Sequence, residues 1–197
     1  MVRSPHAHAR IRAINATQAR AAKAVLAVLT GADLLSDGLK SIPHRPMLRG
    51  APDITLRNRD GSEAVTTPHY PLPADKVRFA GEAVAMVVAN SLAAAKAAAE
   101  LVQVDYEPLA AVTRAVVSAE NGAARVFQDD TPNVCIDADV GDAATTEAAF
   151  ARAAHVVSLG TRVQRVTGVP MEPRAALGAY DTRTKRYTLY AGSGNVV

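Results

Sequence analysis

A single cysteine, Cys135, is the whole thiol content of the 197 residues. One thiol excludes an internal disulfide and any zinc or iron–sulfur site built from several cysteines. Tryptophan is absent, and aromatic residues make up only 4% of the chain. Alanine carries much of the apolar count, so the expected core is built from small residues and close backbone approaches, as where helices pack tightly on a sheet. No apolar run reaches the roughly 20 residues of a membrane-spanning helix. The opening Met1-Val2-Arg3-Ser4-Pro5-His6 lacks the apolar stretch of a secretion signal. Asn15-Ala16-Thr17 fits the glycosylation pattern, but without such a signal it reads as chance. The expected compartment is cytoplasmic.

Charge of one sign is also in short supply. The formal net charge is +3, and the arginines are scattered rather than striped. Arg45, Arg49, Arg57 and Arg59 form the densest group, and no aromatic residue interleaves with them. That argues against nucleic acid as a partner.

Hydrophobic patterning gives the organisation. Ala9 to Ile14 alternates as a half-exposed strand, and Val25 to Leu29 reads as a more buried one. Thr30 to Leu35 turns out of it, with room for one helical turn. Residues 36 to 75 are punctuated by Pro43, Pro46, Pro52, Pro68, Pro71 and Pro73 and read as an irregular arm. Lys76 to Phe79 alternates into a turn at Gly81-Glu82, and Ala83 to Ala89 is a continuous apolar strand. Asn90 or Ser91 offers N-cap chemistry for a helix over Leu92 to Val102, with Leu92, Ala95, Ala99 and Val102 on one face. Gln103 to Glu107 returns as a strand stopped by Pro108. Strand, helix and strand of these lengths predict a crossover with the two strands parallel. A short helix is expected within Thr113 to Phe127. A second, capped by Asp142, is expected over Ala143 to Ala154. His155 to Leu159 and Thr161 to Val166 read as strand material, and Ala175 to Tyr180 with Arg186 to Tyr190 as a hairpin.

Residues with chemical potential are few. His6 and His8 could face one metal, but no further ligand is evident, so surface histidines are the expected reading. Glu82 is expected to accept backbone donors in its turn rather than act as a base. Glu172 and Arg174 flank Pro173 and suit an ion pair or a domain contact. Gly192-Ser193-Gly194 is too short a glycine pattern to define a dinucleotide fingerprint. No catalytic residue and no metal ligand is assigned.

Several segments together resemble one family. Val2-Arg3-Ser4-Pro5-His6-Ala7-His8-Ala9-Arg10-Ile11 resembles the Arg-Ser-Pro-x-Ala-His-Ala-x-Ile stretch of the xanthine dehydrogenase, aldehyde oxidase and carbon monoxide dehydrogenase large subunits. Val25 to Leu34 resembles the family's next segment. Val77 to Ala89 is similar to its Gly-Glu-Pro-Val-Ala core, with Ala83 in place of the usual proline. Ala99 to Leu109 is similar too, as is Gln164-Arg165 with Pro170-Met171-Glu172-Pro173-Arg174-Ala175.

The resemblance implies an α+β or α/β fold. A hammerhead-type mixed sheet with packed helices, missing its first strand or two, is expected over residues 1–115. A linker over 116–130 and the incomplete opening α+β segment of a molybdopterin-binding domain over 131–197 follow. It implies part of the large subunit of a molybdenum-dependent hydroxylase or carbon monoxide dehydrogenase-like oxidoreductase, inactive as this chain alone. No cofactor is expected in this chain. The intact subunit would hold molybdopterin cytosine dinucleotide with molybdenum. Its partners would be the rest of the large subunit and the iron–sulfur and flavin subunits. Many members place a Ser/Thr-Gln pair soon after the strand equivalent to Tyr187–Tyr190. Here the glutamine is missing, which leaves Ser193 and Gly194 as the only cofactor-binding candidates. The family's catalytic glutamate and glycine-rich loops would lie downstream of Val197. Interrupted sheets imply self-association. The other reading is a non-catalytic interaction or assembly module that retains the hammerhead fold and uses the arginines of the arm as its contact surface.

Overall fold

A computed structural model describes residues 1–42, 57–127, 131–164, 171 and 175–192. The chain divides into two compact units, Met1–Gly141 and Asp142–Val197.

In the first unit two three-stranded sheets are woven from alternate parts of the chain. β1 (Val2–Arg3), β5 (Ala83–Ala89) and β3 (Val25–Thr30) form one, in the order β1-β5-β3. β4 (Lys76–Val77), β2 (Ala9–Asn15) and β6 (Gln103–Pro108) form the other, in the order β4-β2-β6. Every ladder among the described residues is antiparallel. The expected parallel pairing of Ala83–Ala89 with Gln103–Glu107 is therefore not what forms. The helix between them, α3 (Leu92–Ala99), carries the chain out of one sheet and into the other, where β6 pairs with β2.

Alanine decides how close the layers come. Ala16, Ala19, Val28, Ala85, Val87, Ala98 and Val102 form one buried cluster between the helices and the first sheet. Its helices are α1 (Thr17–Ala21) and α3. α1 lies within Asn15 to Lys23, a polar and alanine-rich stretch. Five residues are too few for a periodic signal. A second cluster, Ala9, Val77 and Val84, is packed by Ile11, Ile14, Val104 and Tyr106. The inward face of α3 is Ala95, Ala98 and Ala99, continued by Val102. Leu92, expected on that face, is 72% exposed. It is the first helical residue, one turn ahead of the core contact. Ser91 caps the helix, its hydroxyl accepting from the Ala94 amide at 3.2 Å.

One turn opens the arm, and another follows β4. α2 (Gly31–Ser36) starts at Thr30, whose amide and hydroxyl both donate to the Asp33 carboxylate at 2.7 Å. Gly31 has no room for a side chain, because a Cβ there would sit 2.5 Å from the Pro73 carbonyl oxygen. Gly81, at φ +90°, allows the tight turn before β5. After β6, α4 (Ala115–Ser118) leads to Phe127, which returns onto β4. The Lys76 ammonium donates to the Phe127 carbonyl, and the Arg78 guanidinium lies 5.0 Å above its ring.

The second unit holds α5 (Ala143–Arg152) and a hairpin of β7 (Ala176–Asp181) with β8 (Arg186–Ala191). Asp142 caps α5 as expected, accepting from the Thr145 amide at 2.9 Å. Asp181 closes the hairpin turn by accepting from the Arg183 amide and the Thr184 hydroxyl. The strand expected over His155–Leu159 and Thr161–Val166 does not form among the described residues, 155–164. Val157, Leu159 and Val163 are each more than four-fifths exposed, without the neighbouring strand that would make apolar alternation pay.

Candidate functional site

The cofactor candidates Ser193 and Gly194, and the Glu172–Arg174 pair, lie outside the described residues. Every described residue from Gly141 to Gly192 is exposed. A pterin needs a water-excluding cradle of buried donors, so these residues by themselves do not fit one.

Glu82, His8 and His6 are each engaged in structural contacts, although the buried His8 Nε2 has no hydrogen-bond partner. Glu82 accepts from the Arg78 amide at 2.5 Å, as expected for a turn carboxylate. The same turn is tied to the first strand. The Ser4 amide donates to the Glu82 carbonyl, the Gly81 amide to the Ser4 carbonyl, and the Arg3 guanidinium to the Gly81 carbonyl. These contacts join the Arg-Ser-Pro and Gly-Glu stretches into one structural unit. His8 is buried, and its Nδ1 lies 2.7 Å from the Ala110 carbonyl oxygen. A carbonyl only accepts, so Nδ1 carries the proton. His6 packs instead against the Tyr106 ring, centroids 4.9 Å apart. Burial, with the Glu82 charge adding to it, raises the Tyr106 phenol above its usual range. Among the described residues no three His, Cys, Asp or Glu side chains converge as metal ligands. No described helix is long and apolar enough to cross a membrane.

The arginine arm is partly occupied as well. Arg57 pairs with Glu63, and Arg59 with Asp137 and Asp139. Arg45 and Arg49 lie outside the described residues. Nothing local to Arg59 indicates that its partners come from 78 and 80 residues downstream. Arg10 and Arg12 converge on Glu107, at 3.3 and 2.8 Å, across the β2–β6 ladder. Asp33, held by Thr30 and facing Arg20, has its carboxyl kept below the usual range.

Residues 1–110 match the family model for the aldehyde oxidase and xanthine dehydrogenase a/b hammerhead domain. The chain belongs to that family. Residues 126–196 match the molybdopterin cofactor-binding domain. Among curated relatives, the nicotine 6-hydroxylase large subunit of Paenarthrobacter nicotinovorans is 33% identical over 98% of this chain and 22% of its own length. The carbon monoxide dehydrogenase large chain of Afipia carboxidovorans is 31% identical over 96% of this chain and 22% of its own. The structure of quinoline 2-oxidoreductase from Pseudomonas putida 86 superposes with a TM-score of 0.75 at 34% identity, over 97% of this chain and 22% of that one. This hammerhead-family chain thus spans about a fifth of the length of the relatives it matches. Two of these relatives are named as a large subunit and a large chain, a carbon monoxide dehydrogenase structure is described as a Cu,Mo enzyme, and a further relative from Paenarthrobacter nicotinovorans is named as the gamma subunit of a 6-hydroxypseudooxynicotine dehydrogenase complex.

Proposed function

We propose that this chain is part of the large subunit of a molybdenum-cofactor-dependent oxidoreductase and that these residues alone do not catalyse. One observation carries the reading. A hammerhead family model and a cofactor-binding family model follow each other along the chain, and single relatives align across both. In this reading the hammerhead domain occupies 1–115, a linker 116–130, and the cofactor domain opens at 131. The cofactor is the cytosine dinucleotide form of molybdopterin. When bound, it supplies the two-electron oxidation that the polypeptide lacks. Electrons leave through iron–sulfur and flavin subunits in the cytoplasm.

What this chain's own residues contribute is scaffold. They fold the hammerhead and present an exposed hairpin for the remaining subunit, or for a second copy in its absence. One face of that hairpin carries Ala176, Gly178, Tyr180, Tyr187, Leu189 and Ala191, all apolar or aromatic. A two-stranded hairpin with that face in water is marginal.

The reading is tested by determining the coding sequence on both sides of this segment and the molybdenum content of the purified chain. A frame that runs on into glycine-rich loops and a late glutamate, with molybdenum far below stoichiometric in the isolated chain, is the expected result. Stoichiometric molybdenum with dye-linked dehydrogenase activity would overturn the non-catalytic role. Flanks unrelated to a cofactor domain would overturn the subunit assignment.

A further inference from the structure

The opening residues of the second matched region are held by the first unit. The cofactor-domain match begins at residue 126, yet the first compact unit runs to Gly141. Between them, residues 133–139 are stitched at one end to the nearby segment 118–126 and at the other to the distant arm. At one end the Asn133 amide donates to the Ser118 and Ala124 carbonyls, at 3.1 and 2.9 Å, and its oxygen accepts from the Val126 amide at 3.1 Å. At the other end lies the arm. The Arg59 amide donates to the Asp137 carbonyl at 2.9 Å, and the Asp137 amide to the Asn58 side chain at 2.8 Å. The Arg59 guanidinium reaches Asp137 and Asp139, both at 3.1 Å. Between the ends, the Val65 amide donates to the Cys135 carbonyl at 2.8 Å, and the Cys135 thiol to the Val65 carbonyl at 3.1 Å.

We propose that residues 133–139 are a strap that fastens the arm segment 57–65 to the segment 118–126, with Asn133 as its anchor and Arg59 as its releasable fastener. The two ends differ in kind. Asn133 is partly buried and uses its amide fully, so releasing it leaves several carbonyl and amide groups unpaired. Arg59, Asp137 and Asp139 keep about three-fifths of their side-chain surface in water. Ion pairs this exposed are weak and screened by salt. The arm end therefore opens first, freeing residues 57–65 while both sheets stay intact. This device links the long proline-rich arm to the residues that lead into the second unit. It does not depend on what the complete subunit oxidises.

The test is hydrogen exchange on the whole chain, read beside the alkylation rate of Cys135. In Arg59→Ala, the Arg59-position, Val65 and Asp137 amides should exchange about threefold faster, and Cys135 should alkylate faster by a similar factor. Raising ionic strength should move the wild type in the same direction. The Tyr106 and Val104 amides of the β2–β6 ladder should not change in either case. Arg57→Ala, whose ion pair lies within the arm, should leave Asp137 and Cys135 as they are. Unchanged exchange and alkylation in Arg59→Ala would overturn the strap. So would an acceleration shared equally by the ladder, since that is loss of the fold rather than local opening.

Discussion

The two units respond differently to the same alanine-rich composition. In the first, alanines lie where helices meet a sheet, and Ala9, Ala16, Ala19, Ala85 and Ala98 are buried. In the second, α5 is half alanine, yet every described residue there is exposed. Small side chains make a core only where a second layer approaches closely enough to exclude water. Composition is therefore silent on burial, and topology decides it.

That contrast can be broken or sharpened by substitution. The largest effect is expected from Val84→Asp. Val84 is fully buried with Val77 in the smaller cluster, and an unpaired charge there should cost about 3 kcal/mol or more. Loss of the cooperative thermal transition, monitored by circular dichroism, would show it. Gly31→Ala should follow, at about 1–3 kcal/mol, because its Cβ meets backbone at Pro73 rather than a movable side chain. Denaturant midpoints would measure this.

Asp33 sets a smaller, pH-dependent effect. Its folded carboxyl titrates below the ordinary 3.8, chiefly through the Thr30 hydroxyl and then the Thr30 amide. The ionised form thus stabilises the fold above about pH 4, and this contribution fades as pH falls through the folded value. Asp33→Asn should therefore narrow its stability gap from wild type in acid. A gap that widens there would reverse the assignment. The smallest effect is expected from Tyr187→Ala. Tyr187 stacks on Tyr180 at 4.5 Å but is 83% exposed. The melting of the first unit should move by no more than about 0.5 kcal/mol.

Local features were legible in the sequence. β5 was read with its observed bounds, Ala83–Ala89, because seven apolar residues between a glycine turn and a serine cap admit little else. The Asp142 cap and the final hairpin were readable for the same reason: each is decided within about fifteen residues. What was missed is long-range. Nothing in Gln103–Glu107 says that it will join β2 rather than β5, since its alternation suits either sheet. The strap is invisible from sequence because Asn58, Arg59 and Val65 must meet Cys135 and Asp137 across most of the unit. The cofactor candidates Ser193 and Gly194 rest on resemblance alone and lie outside the described residues.

The Gly31–Pro73 contact also bears on how such sequences are compared. Loops rich in proline are hard to align, and the 36–75 arm is rich in proline. A glycine pressed against a particular carbonyl ties the two margins of that arm together in space. Insertions and deletions can then accumulate between the margins without shifting them. The pair works as a fixed post on either side of a gap, from which residues flanking the variable stretch can be placed in register.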